Sequence, residues 1–484
     1  MHPLAKLDQK YVWHPFTQMR DWLRTESIVI AKGRGAVLED ARGHKYLDAN
    51  SSIWTNLHGH NHPLLNAAVA RQLAKIAHSS ALGLANEPAS LLAKRLIDAA
   101  NQPRLPRLSK VFYSDDGSTA MEVALKLAYE FARRTHGVKS PRFLSLKGAY
   151  HGDTIGAVSL GHIDLFHKAY RGLLFKSDSV PAPYCYRCPH NRSKPQRADA
   201  REYRKCNWEC IAKVERRFTA QKQKGEFYAA VVVEPLIQGA AGMIAQPKGW
   251  LQRVSEIARS NGSLLIADEV MTGFGRTGVP TRGASLFASH HESVQPDLIA
   301  LAKGMTGGYL PMAATLVTQP IFDAFLGDYA EFKTFFHGHS YTANQLGAAA
   351  SVASLDLLQS PKSIRPRIAL QTALTENLAR LWDLPQVGDI RQVGLVAGIE
   401  LVKDWRTRAP FPLELQAGIR VCEAMARRGV LTRPIGNVIV IMPPYCTTPA
   451  QVEGIVSALC EGISEVLGAS TYNRKARRLE KEKA

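Results

Sequence analysis

Between Lys110 and Thr318, short runs of aliphatic residues alternate with stretches whose apolar positions recur at helical spacing. KVFYS is followed by TAMEVALKLAYEFARR, in which Met121, Leu125, Ala128 and Phe131 share one helical face. RFLSL, AAVVVE, SLLIADE, DLIALAK and AATLVT follow in turn. Alternating strands and helices predict an α/β fold with a mostly parallel sheet covered on both faces. After about Ser340 the pattern changes. Long helical stretches, then GDIRQVGLVAGIELV and GNVIVIMPPY, predict a smaller α+β unit. Near the N-terminus, GAVLEDARGHKYLDA predicts a hairpin that turns at Ala41–Gly43 and packs with that C-terminal unit. The expected division is a segment 1–60 joining the small domain, a large domain over 61–335, and a small domain over 336–484 ending in a basic tail. No internal repeat and no low-complexity linker interrupts it.

Composition changes this picture little. The 484 residues, 45% hydrophobic and 21% charged, are those of a globular protein large enough for two domains. No apolar run approaches the roughly 18 residues of a membrane helix, and MHPLAKLDQKYVWHPF lacks a signal peptide's apolar centre. A cytoplasmic protein without membrane partners is expected. The net charge of +19 admits a nucleic-acid-binding protein as an alternative of another class. The basic residues are scattered, however, apart from the tail NRKARRLEKEKA, and no nucleic-acid motif is present. A basic surface that recruits anionic ligands, with no nucleic-acid partner, is the simpler expectation. Of seven cysteines, Cys185, Cys188, Cys206 and Cys210 read C-x2-C then C-x3-C inside the basic insertion PYCYRCPHNRSKPQRADAREYRKCNWEC. That spacing is close to a zinc ribbon's; the other reading is a solvent-facing loop with incidental thiols.

The chemistry gathers at strand ends. AAVVVE ends at Glu234, LLIAD at Asp268 and DLIALAK at Lys303. Ligands of open parallel sheets bind beyond the carboxyl ends of strands, so the three charges are expected to converge. In YSDDGSTAMEV a strand stops at Gly117–Ser118 and a helix begins. Its free N–H groups suit an anion, with Ser118 and Thr119 able to donate or cap. GAYHGDT places Tyr150, a flat ring, at another strand end, with His151 beside it in a structural role. Pyridoxal phosphate needs all these parts: a lysine for the Schiff base, a carboxylate facing the pyridine nitrogen, a phosphate cradle and a surface against the ring.

LLIADEVMTGFGRTG and, after a spacer, PDLIALAKGMTGGYLP resemble the signature of the class III aminotransferases, of pyridoxal-phosphate fold type I. The resemblance runs over nearly the whole chain. WHPFTQM, SSIWTNLHGHNHP, YHGDTIGAVSLG, TFFHGHSYTANQLGAA and LTRPIGNVIVIMPPY are similar, within the class, to the enzymes that aminate 8-amino-7-oxononanoate in biotin synthesis. The resemblance implies pyridoxal 5′-phosphate as cofactor and Lys303 as its Schiff-base lysine. It implies Asp268 at the pyridine nitrogen, Gly117 and Ser118 at the phosphate, and Tyr150 and Val270 on the two ring faces. It implies a homodimer with shared sites, in which Gly338, His339 and Ser340 reach the neighbouring subunit's phosphate and substrate pocket. Phe16, Ile53, Trp54 and Arg433 would line the substrate pocket, Arg433 meeting the keto acid's carboxylate.

Three positions depart from the family pattern. Phe16 stands for a tyrosine, Ile53 for the first of two tryptophans, and His339–Ser340 for Pro-Thr. Stacking on an aromatic surface contributes about 1–3 kcal/mol per base in nucleic-acid sites, so losing one flat wall tilts the donor from S-adenosylmethionine toward a smaller amine such as L-lysine. Phe16 and Trp54 still leave aromatic surfaces for adenine. S-adenosylmethionine is the default donor and L-lysine the alternative; another ω-amino acid transaminase is the competing reading.

Overall fold

The computed structural model describes residues 1–103, 105, 107–279 and 285–468; the basic tail expected at the C-terminus lies outside the described residues. Its largest sheet has seven strands, in the order Leu108–Ser114, Ala313–Thr318, Leu298–Leu301, Leu264–Asp268, Tyr228–Val233, Arg142–Leu146 and Asp178–Val180. Ala313–Thr318 pairs antiparallel with both neighbours, and the remaining pairs are parallel.

Successive residues of these strands feed opposite faces, as the two-residue period of a strand demands. Val232 and Ile266 pack beneath Ala120, Val123, Ala124 and Leu127 of the Gly117–His136 helix. Val231, Val233 and Leu265 pack on the other side against Trp250, Leu251 and Val254 of the Trp250–Ser260 helix. A sheet covered on both faces leaves its strand ends as the place where polar groups can gather.

The N-terminal hairpin forms where its sequence pattern puts it. Val37–Asp40 pairs antiparallel with Lys45–Asp48. Asp40 Oδ1 accepts from the N–H groups of Arg42 and His44, both at 2.9 Å, and Gly43 takes a φ of +88° that only glycine adopts freely. Lys45–Asp48 then pairs parallel with Val430–Leu431, bringing the two ends of the chain into one sheet. The long helical stretch after Ser340 divides. Gln345–Gln359 packs against the Pro63–Lys75 and Glu87–Ala100 helices, whereas Pro361–Ala379 packs against Pro449–Leu467. Ser360 and Pro361 break the helix between them, Pro361 standing at the start of a new one.

The cysteine-bearing insertion is not the solvent-facing loop that its composition suggests. Cys185, Tyr186 and Ala200 are buried. Three of its arginines are consumed internally: Arg187 pairs with Glu400, Arg197 donates to the carbonyls of Trp382, Leu384 and Val387, and Arg201 donates to Gln392 O. These anchor the insertion to the hairpin Val387–Val393/Val396–Asp404. The cysteines are all free thiols, and among the described residues no group of three or more His, Cys, Asp or Glu side chains stands where it could hold a metal ion.

Residues 51–54 have φ values of +47°, +48°, +63° and +69°, a left-handed turn that costs non-glycine residues about 1–2 kcal/mol each. Buried Asp48 holds it. Its Oδ1 accepts from Asn50 N at 3.2 Å and Ser52 N at 3.0 Å, and its Oδ2 accepts from Ser52 Oγ and meets His60 Nε2, both at 2.9 Å. Asp48→Ala leaves these donors unpaired in a buried place and is expected to remove about 3 kcal/mol. The thermal unfolding midpoint should fall by several degrees; an unchanged midpoint would show that the turn is held elsewhere.

Candidate active site

Sheet register brings the charges together. Val233 lies opposite Ala267, so Glu234 stands level with Asp268. Asp268 is opposite Ala300, and Lys303 follows just beyond Leu301. All three line one cavity of 640 Å³, together with Trp54, Gly117, Ser118, Tyr150, His151 and Val270. Lys303 itself has a φ of +46°, an unusual conformation for lysine that aims its side chain into the cavity rather than along the strand. Its Nζ lies 5.0 Å from the centre of the Trp54 ring. Burial lowers the ammonium's pKa, while Asp268 and Glu234 oppose that shift.

The two acids of LLIADE have separate fates. Glu269 is fully buried and structural: it accepts from Ala288 N at 2.6 Å, Ser289 N at 2.9 Å and Ser289 Oγ at 2.7 Å. Asp268 faces the cavity. Its Oδ1 accepts from Val270 N at 3.1 Å, and its Oδ2 meets His151 Nδ1 at 2.7 Å. Burial works against a charged His151, but the hydrogen bond and charge of Asp268 outweigh it and raise the imidazole's pKa. His151 Nε2 is buried without a partner.

The helix start is divided between two tasks. Asp116 accepts from Thr119 N at 2.8 Å while Thr119 Oγ1 accepts from Asp116 N at 2.9 Å, so Thr119 is spent on capping. Ser118 stays in the cavity wall, its Oγ 2.7 Å from Thr154 Oγ1 and accepting from Thr154 N at 3.0 Å. A Cβ on Gly117 would come within 2.7 Å of Val270 Cγ1, so only glycine fits there. The Tyr150 hydroxyl donates to Asp153 Oδ2 at 2.7 Å, which fixes its ring, and His167 stacks on it at 6.4 Å and 12°.

The set suits pyridoxal phosphate: a lysine and a carboxylate in one cavity, the N-terminus of a 20-residue helix in its wall, and a tyrosine ring beside them. Not every residue expected at the site lines this cavity. Phe16 is 63% exposed at its rim, its ring edge-on to Tyr150 at 6.4 Å. Ile53 is exposed next to Trp54, and Arg433 is exposed on the segment before Pro434–Ile435. Gly338 and Ser340 are exposed and His339 half-buried, none of them in the cavity wall of the single chain. Conversely, Asp153, Thr154, Met271 and the stretch Tyr309–Met312 line it without having been singled out. YHGDT carried a signal for the first two, and Tyr309–Pro311 close the quoted PDLIALAKGMTGGYLP without having been given a role.

The chain belongs to the class III aminotransferases, whose family model matches residues 19–463. It is a pyridoxal-phosphate-dependent aminotransferase. It is 47% identical over 465 residues to the adenosylmethionine-8-amino-7-oxononanoate aminotransferase of Geobacter sulfurreducens, covering 96% of this chain and 98% of that one. The enzyme of the same name from Methanocaldococcus jannaschii is 41% identical over 469 residues, 96% of this chain and 98% of its own. A crystal structure of the Methanocaldococcus jannaschii enzyme superposes with a TM-score of 0.85 at 39% identity, over 96% of this chain and 98% of that one. The Pseudomonas jessenii omega transaminase in complex with PMP superposes with 0.87 at 25% identity, over 97% and 100%.

Burial and the nearby Asp268 push the Glu234 carboxyl up to about 7, while His151 and two backbone N–H groups pull the other way. The folded protein therefore holds this proton more tightly than the unfolded chain. Between about pH 4.5 and 7 the unfolded chain releases it first, so stability is lost as pH rises. In cofactor-free protein, Glu234→Gln should gain on the wild type across that window, by about 3 kcal/mol at most. Thermal midpoints of both proteins at pH 5 and pH 8 check the sign; a difference independent of pH would refute it.

Proposed function

We propose that this aminotransferase moves an amino group from an amine donor to carbon 7 of 8-amino-7-oxononanoate, giving 7,8-diaminononanoate for biotin, in the cytoplasm and as a homodimer. The observation that carries the reading is the meeting of Lys303 Nζ and the Trp54 indole, 5.0 Å apart, in a cavity that Asp268 also lines. The relatives' names supply the acceptor and the default donor, S-adenosylmethionine. L-lysine is the alternative donor, because Ile53 removes a flat wall and Phe16 offers no hydroxyl.

Bound pyridoxal phosphate supplies a carbonyl for amine exchange and an electron sink for the carbon that loses its proton. The chain's own groups do the rest. Lys303 Nζ would hold the cofactor covalently. As a neutral amine, the form that burial favours, Nζ would take the proton from the amine-bearing carbon. Asp268, its carboxylate held by His151 Nδ1 at 2.7 Å, would face the pyridine nitrogen. Gly117, Ser118 and the helix N-terminus would receive the phosphate, Tyr150 and Val270 would enclose the ring, and Trp54 would wall the substrate. Arg433 takes the distant carboxylate of the acceptor. Gly338, His339 and Ser340 serve the partner's site. Exposed Tyr329, Phe332, Phe336 and Tyr341 flank them, a cluster of aromatic surface that a second subunit would cover.

Lys303→Ala should abolish transamination in a folded protein, and borohydride should fix the cofactor to Lys303 in the wild type. Cofactor fixed to another lysine would contradict the assignment. Arg433→Ala should raise KM for 8-amino-7-oxononanoate far more than for the donor, because a bidentate carboxylate partner is lost. Equal effects on the two half-reactions would remove the role. The donor is read by mixing loaded enzyme with S-adenosylmethionine, L-lysine and a simple ω-amine separately and following cofactor absorbance. Conversion by lysine alone refutes the default; conversion by the ω-amine alone favours an ω-amino acid transaminase.

A further inference from the structure

Glu234 is a buried acid whose two hydrogen-bond donors are both backbone N–H groups. It is 6% exposed. Its Oε2 accepts from Gly239 N at 2.8 Å and its Oε1 from Tyr150 N at 3.5 Å, both neutral donors. Among the described residues no lysine, arginine or histidine forms an ion pair with it. A buried carboxylate with such partners is costly unless a positive charge joins it.

Its position says which charge. The Gly239 that it holds lies under the substrate wall: a Cβ there would come within 2.7 Å of Met271 Sδ and 3.3 Å of Trp54 Cζ3. Trp54 in turn faces Lys303 Nζ at 5.0 Å. The reacting carbon must come within reach of Lys303 Nζ, and Glu234 lines the same cavity as Lys303 and Trp54. Lys303 cannot remain its permanent cation, because that nitrogen is exchanged against substrate amines. The acceptor assigned above reacts at carbon 7 and carries an ammonium group on carbon 8, one bond away.

We infer that Glu234 accepts a hydrogen bond from the 8-ammonium group and makes the site selective for ketones with a neighbouring amine. The inference rests on the acceptor reading and names a specificity residue within it. A site built to bind a polar group rejects the analogue that lacks it, because its own buried group is then left unpaired.

The experiment compares two acceptors, 8-amino-7-oxononanoate and 7-oxononanoate, on wild-type enzyme and on Glu234→Gln. The wild type should favour the amino ketone by at least about 100-fold in kcat/KM. Glu234→Gln should shrink that ratio at least tenfold, chiefly through KM of the amino ketone. Calorimetric binding of both ketones to Lys303→Ala loaded with pyridoxamine phosphate gives a readout without turnover, and the amino ketone should bind at least tenfold tighter. A wild-type ratio near one overturns the inference without any variant. So does an equal fall for both acceptors in Glu234→Gln, which would mark a structural role, or equal affinity in the binding measurement. A wild type that uses neither ketone but consumes ω-amines removes the acceptor reading and this inference with it, an outcome distinct from a lost preference.

Discussion

Charge held out of water is the constraint on which the rest of this structure depends. Glu234, Asp268 and Lys303 end or follow three adjacent strands of a sheet whose faces are filled with aliphatic side chains. At that edge they cannot be dispersed into solvent, so each needs a fixed partner or a ligand. Asp268 has His151 and Val270 N; Glu269, one residue on, has Ser289 and Ala288 N and plays no part in the cavity. Lys303 and Glu234 are left for what enters. The glycine at 117, the cap at Asp116 and the left-handed backbone at Lys303 all serve to shape the space around these groups.

Much of this was legible because strands buried on both faces are apolar throughout. A charge at the end of such a run stands out, and Glu234, Asp268 and Lys303 were found that way. The hairpin at Ala41–Gly43 was legible from its turn residues. The helix start was read less finely: Ser118 and Thr119 look equivalent in sequence, and only the reciprocal bonds with Asp116 show that Thr119 is a cap. Of the insertion's two open readings, a zinc ribbon and a solvent-facing loop, neither anticipates where Arg187, Arg197 and Arg201 go. They are donors to carbonyls and to Glu400, partners almost 200 residues and more away that no local pattern reveals. Tyr309–Pro311 close the same quoted stretch as Lys303, but only the fold shows that they line the cavity.

That insertion also links two regions that chemistry keeps apart. Glu400 accepts from Arg187 of the insertion and from Arg391, and Arg391 donates on to Gly242 O at 2.6 Å and Met243 O at 3.0 Å. The latter pair closes the loop that begins at Gly239, where Glu234 is bound. Buried ion networks of this kind contribute little net stability, but breaking one member leaves an uncompensated charge. The insertion, the Val387–Asp404 hairpin and the substrate wall are thus one hydrogen-bonded assembly.

The left-handed turn at residues 51–54 ties the substrate wall to the far end of the chain. Ser51 Oγ donates to Met442 O at 2.7 Å, a partner 391 residues later, and the strand leading into the turn pairs with Val430–Leu431. Contacts so distant along the chain are slow to close and must await the whole polypeptide. The indole that faces Lys303 thus owes its place to contacts that span nearly the whole chain, whereas the Asp268–His151 pair and the helix at Gly117 need only its middle.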